Sequence, residues 1–253
     1  MTKKTLIICF LSFFIFSSCK KADEPGSVQF NIKLSDSPAN YQEVNIDFQR
    51  ARVFLDEAQN WITIDPMVGF YDLLQLNNGR DTLIASRTIP TGTISEVWLI
   101  LGTNNTIKVN GQTRPLIIPG AEQASIFIRT KIYLENNKTY TMLLDFDAAL
   151  SVVEMPNGVY HLYPVVRDIT ASQFTGIRGV ITPTVSNPVI YAISGTDSIS
   201  TYPDSTGNFL IRGLSAGDYN VYFKPKSLFN DTTVIGVSVL NGLITDMDTI
   251  PIP

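Results

Sequence analysis

Thiols and imidazoles are scarce in this chain of 253 residues, which carries two cysteines, Cys9 and Cys19, and one histidine, His161. Beyond residue 19 there is no disulfide, thiolate nucleophile or cysteine-bound metal to be built, and a zinc site would have to rest mainly on carboxylates, which are unusual in that role. No metal or cofactor is expected. Basic charge is not in excess: 19 Lys and Arg stand against 23 Asp and Glu, a formal net charge of −4. Such a chain repels phosphate backbones, which argues against nucleic acid as a partner. Apolar runs are short; the longest, Leu6 to Phe16, is about a dozen residues, where a membrane-crossing helix needs roughly 20. Helical spacing is almost missing, and Ala148 to Met155, closed by Pro156, is the one stretch that reads as a helical turn.

The start of the chain has three parts. Lys3 and Lys4 precede the apolar run and small Ser17 and Ser18 follow it, the layout of a secretory signal that plays no part in the mature fold. Phe16-Ser17-Ser18-Cys19 resembles the lipobox of bacterial lipoproteins, in a relaxed form familiar from the Bacteroidota with Phe16 where leucine is commonest. That resemblance implies cleavage after residue 18, acylation of Cys19 by palmitate-type chains, and a mature protein tethered to a membrane. An ordinary signal with a chance cysteine is the other reading. Loss of residues 1–18 removes two lysines, leaving 17 Lys and Arg against 23 Asp and Glu, or −6. Residues 19–27 then form the lipidated cysteine and a polar tether with no apolar pattern to fold it. Its order, Lys20-Lys21 before Asp23-Glu24, resembles the signal that sends some Bacteroidota lipoproteins to the outer face of the outer membrane, with a plain solvated spacer as the alternative.

From Val28 onward apolar residues recur at every second position, the period of a strand with one buried face. Val28, Phe30, Ile32 and Leu34 set the pattern; Val44, Ile46 and Phe48, then Tyr140, Met142, Leu144 and Phe146, repeat it. Turn residues separate the runs: Asn77-Asn78-Gly79, Pro90-Thr91-Gly92, Asn110-Gly111, Asn136-Asn137 and Pro156-Asn157-Gly158. Asn and Gly tolerate the positive φ of tight turns, so each is predicted to close a hairpin. A strand is predicted over Tyr160 to Ile169, and a boundary falls at Ala171 to Thr175. The expectation is an all-β fold of two β-sandwich domains, residues 28–170 and 176–253, each of ordinary domain size.

Particular motifs carry two family resemblances. Leu34-Ser35-Asp36-Ser37-Pro38-Ala39, Trp61, Tyr71-Asp72-Leu73-Leu74, Ile89-Pro90-Thr91-Gly92, Leu144-Asp145-Phe146-Asp147 and Tyr160-His161-Leu162-Tyr163-Pro164-Val165-Val166-Arg167 together resemble the bacterial lipoprotein family of the domain of unknown function 4382, over about residues 27 to 170. Further on, Gly176-Ile177-Arg178-Gly179-Val180-Ile181, Asp204-Ser205-Thr206-Gly207-Asn208-Phe209 and Gly213-Leu214-Ser215-Ala216-Gly217-Asp218-Tyr219 resemble the carboxypeptidase regulatory-like domain, which implies an Ig-like or transthyretin-like sandwich. Neither resemblance implies an activity, and likeness of fold is no warrant for one.

Few side chains suggest chemistry. Gly213-Leu214-Ser215-Ala216-Gly217 matches the G-x-S-x-G nucleophile elbow, but strands flank Ser215 where a hydrolase has a strand and a helix, and His161 precedes the serine where that fold has its histidine last. Asp145 and Asp147 share a strand face, an arrangement that serves calcium binding or glycoside hydrolysis, or simply the wet side of a strand whose Phe146 points inward. Trp61, Trp98, Tyr160 and Tyr163, with Tyr191 and Tyr202, are aromatics able to meet sugar rings or partner chains, or else to pack a core. Thr82, Ser198, Ser205, Thr232 and Thr249 each follow an aspartate in triplets resembling the sites at which Bacteroidota O-glycosylate exported proteins, a bulky surface modification.

The reading that follows is a non-catalytic lipoprotein of the cell envelope, on the outer membrane, with a binding or adhesion role toward a carbohydrate or another envelope protein. Its binding candidates are Trp61, Trp98, Asp145, Asp147, Tyr160 and Tyr163. An envelope hydrolase using Asp145 and Asp147 or Ser215, and a structural subunit of a surface assembly, are the alternatives.

Overall fold

A computed structural model describes residues 26–253 apart from 38, 121–123 and 227. The expected signal, Cys19 and the tether up to residue 25 lie outside the described residues. The amino-terminal part contains β1 (Ser27–Ser37), β2 (Glu43–Leu55), β3 (Asn60–Ile64), β4 (Gly69–Asp72), β5 (Thr82–Pro90), β6 (Gly92–Leu101), β7 (Thr106–Val109), β8 (Gln112–Ile117), β9 (Ala124–Leu134), β10 (Thr139–Asp147), β11 (Val152–Glu154), β12 (Tyr160–Leu162) and β13 (Val166–Asp168). These build two sheets. One has the order β13-β10-β1-β5; the other runs β11-β12-β8-β7-β2-β6-β9, with β3 and β4 also paired to β2.

In β1 the alternation works as expected. Val28, Phe30, Ile32 and Leu34 are buried, while on the opposite face Gln29 donates to Ser86 at 2.6 Å and Lys33 pairs with Asp81 at 2.8 Å. The inner faces of both sheets meet in one core, with Phe30, Ile32, Met142 and Phe146 from the first and Val44, Phe48, Val53 and Leu99 from the second. β2 is the long strand of the second sheet. It has register shifts at Phe48/Arg50 and Phe54/Leu55, bulges of the kind that bend and twist a strand, and along its length it serves β7 and then β6 on one side and β4 and then β3 on the other.

The carboxy-terminal part contains β14 (Gly176–Thr182), β15 (Val189–Ser194), β16 (Asp197–Thr201), β17 (Asn208–Arg212), β18 (Gly217–Lys224), β19 (Thr232–Val239) and β20 (Ile244–Pro251). A sheet of order β17-β14-β20 packs on one of order β16-β15-β18-β19, around a separate core that includes Ile177, Ile190, Phe209, Val221 and Phe223. The chain is thus all-β and sandwich-like throughout.

The turns divide into two kinds. Asn110-Gly111, with φ of 50° and 75°, closes the antiparallel β7–β8 hairpin in the manner of a two-residue turn of positive φ, and Pro156-Asn157-Gly158 joins antiparallel β11 and β12. The hairpin expectation fails at the others. Pro90-Thr91-Gly92 carries the chain from the first sheet to the second, and Asn136-Asn137 carries it back. Asn77-Asn78-Gly79 follows a 3-10 turn, Leu73–Leu76, and docks on the second sandwich: Leu210 N–H donates to Asn78 Oδ1 at 3.1 Å, and Arg212 donates to the Arg80 carbonyl at 3.0 Å. The backbone chemistry of a sharp bend is the same in all of them; what differs is which sheet supplies the next partner.

Two further expectations are corrected. Tyr160 to Ile169 is not one strand, since β12 lies in the second sheet and β13 in the first, with Pro164, which has no N–H to donate, between them. The helical turn is shorter than predicted: α1 spans Ala148–Ser151, capped by Asp147, which accepts from Leu150 N–H at 2.9 Å. Val152 and Val153, β-branched and better suited to a pleated surface, then enter β11.

Candidate ligand-binding face

The outer face of the second sheet carries a continuous run of aromatic and basic side chains. The loop after β2 positions it. Gln59, at φ 48°, closes a turn through its N–H to the Asp56 carbonyl at 3.2 Å, and Glu57 accepts from the Thr93 N–H at 2.6 Å, tying the loop to the start of β6. This register sets Trp61 on β3 opposite Phe54 on β2, Trp98 on β6 opposite Arg52, and Phe127 on β9 opposite Trp98. Inner positions such as Val53, Val97, Leu99 and Ile128 are buried, so alternation places the rings between them on the outside.

The rings form one cluster drawn from four strands. Centroid separations are 5.3 Å for Phe54–Trp61, 4.7 Å for Trp61–Trp98 and 5.9 Å for Trp98–Phe127. Cations lie over them: Arg52 is 5.6 Å from the Trp61 centroid, Arg129 is 5.7 Å from Phe127, and Lys131 is 5.3 Å from Tyr133. Phe127 and Tyr133 are 44% and 60% exposed, large apolar surface that a soluble domain normally covers unless it meets a partner. Trp98 Nε1 and Arg52 Nε are buried donors with no acceptor among the described residues. Unmet buried donors are costly and call for an explanation.

Of the binding residues expected from sequence, the structure brings Trp61 and Trp98 together and places the rest elsewhere. Asp145 and Asp147 are not on a wet face; both are buried. Asp145 forms an ion pair with Arg167, and Asp147 caps α1. Burial pushes the Asp147 carboxyl up, with the Asp145 charge adding to it. Beside them Asp36, which sequence reasoning passed over, accepts from Ala148 N–H at 3.1 Å through Oδ1, while its Oδ2 is buried with no partner among the described residues. Among the described residues no group of three or more His, Cys, Asp or Glu is arranged to hold a metal. Tyr160 packs in the core, whereas Tyr163 is exposed, its hydroxyl 3.5 Å from Nδ1 of half-exposed His161. In the second sandwich Tyr191 stacks on Tyr222 at 6.0 Å, and burial, then Tyr191 and Tyr41, pushes the Tyr202 phenol up to about 12.

Ser215 lies in a link between sheets: Gly213-Leu214-Ser215-Ala216 leads from β17 in the three-stranded sheet to β18 in the four-stranded one. Its carbonyl accepts from the Tyr219 hydroxyl at 3.1 Å. Strands flank it on both sides, so no strand-to-helix elbow presents its hydroxyl. Of the five threonines and serines in glycosylation-like triplets, Ser198, Ser205 and Thr249 are exposed and Thr82 and Thr232 half-exposed. The residues that sequence reasoning missed on the aromatic face are Phe54, Arg52, Phe127, Arg129, Lys131 and Tyr133. Their signal was present: in β9, every second position from 127 to 133 is aromatic or basic, with Phe127 and Tyr133 bracketing Arg129 and Lys131 on one strand face.

Fold and face together define an all-β sandwich protein with an open aromatic sheet surface. The chain belongs to the family of the domain of unknown function DUF4382, whose model matches residues 27–164, more than half of its length. A search of curated proteins finds no match. Among solved structures, the minor pilin GBS52 of Streptococcus agalactiae is 10% identical, with 88% of this chain and 95% of that chain covered and a TM-score of 0.24. The Bacillus anthracis TIE protein is 8% identical over 88% of this chain and 40% of that one, at 0.25. The shaft pilin SpaA of Lactobacillus rhamnosus GG is 9% identical over 91% and 98%, at 0.22. Likenesses at these scores define neither the arrangement nor the role of this chain.

Proposed function

We propose that this is a lipid-anchored, non-catalytic protein of the bacterial cell envelope that holds a ligand on the aromatic face of its amino-terminal sandwich, with residues 176–253 serving as a carboxypeptidase regulatory-like spacer or second binding module. The observation that carries the reading is the convergence of both tryptophans of the chain, with Phe54 and Phe127, on the outer face of one sheet. Aromatic bodies with polar tips suit interfaces that are partly apolar and partly wet. The lipobox-like Phe16-Ser17-Ser18-Cys19 supports the anchor.

Each half has its own test. On glycan arrays and envelope fractions, a Trp61→Ala/Phe127→Ala double variant should bind about tenfold more weakly than the wild type, a loss of about 1.4 kcal/mol, with circular dichroism unchanged. Undiminished binding by that variant removes the face from the reading. For the anchor, growth with a fatty-acid analogue should label the wild-type chain and leave Cys19→Ala unlabelled; equal labelling of the two refutes lipidation at Cys19.

A further inference from the structure

We propose that the aromatic face takes an anionic polysaccharide, a chain of sugar rings bearing carboxylate or sulfate groups; the assignment rests on the reading of that face as the ligand surface. The first argument is how the cations are held. Arg52, Arg129 and Lys131 lie over aromatic rings, and Arg50 occupies the next outward position of β2. A guanidinium stacked on a ring keeps its in-plane N–H donors free, in the fork geometry that matches a carboxylate or sulfate. Seven ion pairs occur among the described residues, and none of them uses Arg50, Arg52, Arg129 or Lys131.

Local charge opposes the charge of the whole. The chain is acidic overall, at −4, yet this face sets four cations against Glu96, opposite Arg129 in the register, and Asp56; the Lys131 ammonium is raised first by its hydrogen bond to Tyr133 and only lastly by the Asp56 charge. A strip of one sign on a surface of the other steers and holds a ligand of complementary charge.

Spacing favours a sugar chain over other polyanions. From β3 to β9, Trp61, Trp98 and Phe127 follow one another at 4.7 and 5.9 Å, and Phe54 of the intervening β2 lies 5.3 Å from Trp61. That repeat resembles the spacing of successive rings in an extended polysaccharide. A peptide adding as a strand would use the backbone edge of β3 or β9, not the side-chain face. Single-stranded nucleic acid also stacks on aromatics beside cations, but the acidic remainder of the chain repels a continuous phosphate backbone.

Both tryptophans lie on this face, so their emission reports on it alone. The full chain in detergent is titrated with polygalacturonate, alginate and chondroitin sulfate, and with fully methyl-esterified polygalacturonate, which keeps the sugar and removes the charge. The acidic polymers should shift tryptophan emission and lose about tenfold in affinity as salt rises from roughly 50 to 500 mM; the ester should bind at least about tenfold more weakly than its parent acid. Arg50→Gln/Arg129→Gln should show the same loss of about tenfold, with emission and circular dichroism of the free protein unchanged. Equal binding of acid and ester overturns the charge assignment and leaves the face a neutral-sugar surface. Binding of single-stranded DNA as tight as that of the polyuronates overturns the sugar assignment. Silence toward every polymer overturns the proposal, and if envelope ligands are still retained through Trp61 and Phe127, the broader reading of the face survives it.

Discussion

Truncating Phe30 to alanine should destabilise the amino-terminal sandwich by about 3–5 kcal/mol. Phe30 is fully buried at the centre of β1, the strand that pairs in parallel with β10, where its register partner is Tyr140, and antiparallel with β5, where it is Arg87. Its ring fills the space between two sheets, and such a space collapses poorly because strands on both sides are held by their ladders. The loss therefore combines forfeited burial with the residual cavity. Urea denaturation followed by tryptophan emission reads this unit alone, since the chain has two tryptophans and both belong to it. A matched Phe223→Ala variant, in the second core, should leave that transition within about 1 kcal/mol of the wild type, the usual scatter for sites that share no partners. A Phe30→Ala transition close to the wild type would mean that the two sheets do not pack on this ring.

The opposite sign is expected at Asp36. Its carboxyl is held well above the ordinary carboxylate range, first by burial and then by the Asp145 charge, with Asp147 and Asp72 adding to it and the Ala148 hydrogen bond offsetting part. Because the native state keeps this proton to higher pH than the unfolded chain, whose value lies near 3.8, the folded form binds more protons between the two values. Stability contributed by the group is complete below the unfolded value and is lost as pH rises through the native one. Asp36→Asn keeps an acceptor for Ala148 N–H and abolishes the titration. At pH 7 the variant should be more stable by at least about 1 kcal/mol, the scale of an unsatisfied buried polar group, and the advantage should shrink as the pH falls toward about 4. Paired urea melts at pH 7 and pH 4.5 check this, and a variant less stable at both would show that Asp36 Oδ2 has a partner worth keeping.

Much of this was legible in the sequence, because burial on one side of a strand leaves a period of two. Val28, Phe30, Ile32 and Leu34 announce β1 and its inward face, and Asn110-Gly111 announces its hairpin. The same reading misplaced Pro90-Thr91-Gly92 and Asn136-Asn137, since a positive-φ bend serves equally to double back within a sheet and to arch to the facing one. Asp145 and Asp147 looked like the wet side of a half-covered strand, yet β10 is buried on both sides: Met142, Leu144 and Phe146 face the core, while Leu143 and Asp145 are buried on the other side. The sequence supplied Trp61 and Trp98 as separate candidates with no reason to pair them. They meet because β3 and β6 flank β2.

Chain composition alone settles that the protein past residue 19 has no thiol chemistry, that it is acidic, and that its apolar residues suit strands and not helices; these are sums and periods, readable from neighbours in the chain. Tertiary structure alone decides that β1 joins β10 in parallel, that Asp36, Asp145 and Asp147 share a buried corner, and that rings and cations from four strands meet on one outer sheet face. The reason is that every strand offers the same backbone donors and acceptors, so which strands become neighbours depends on packing the whole set of faces at once.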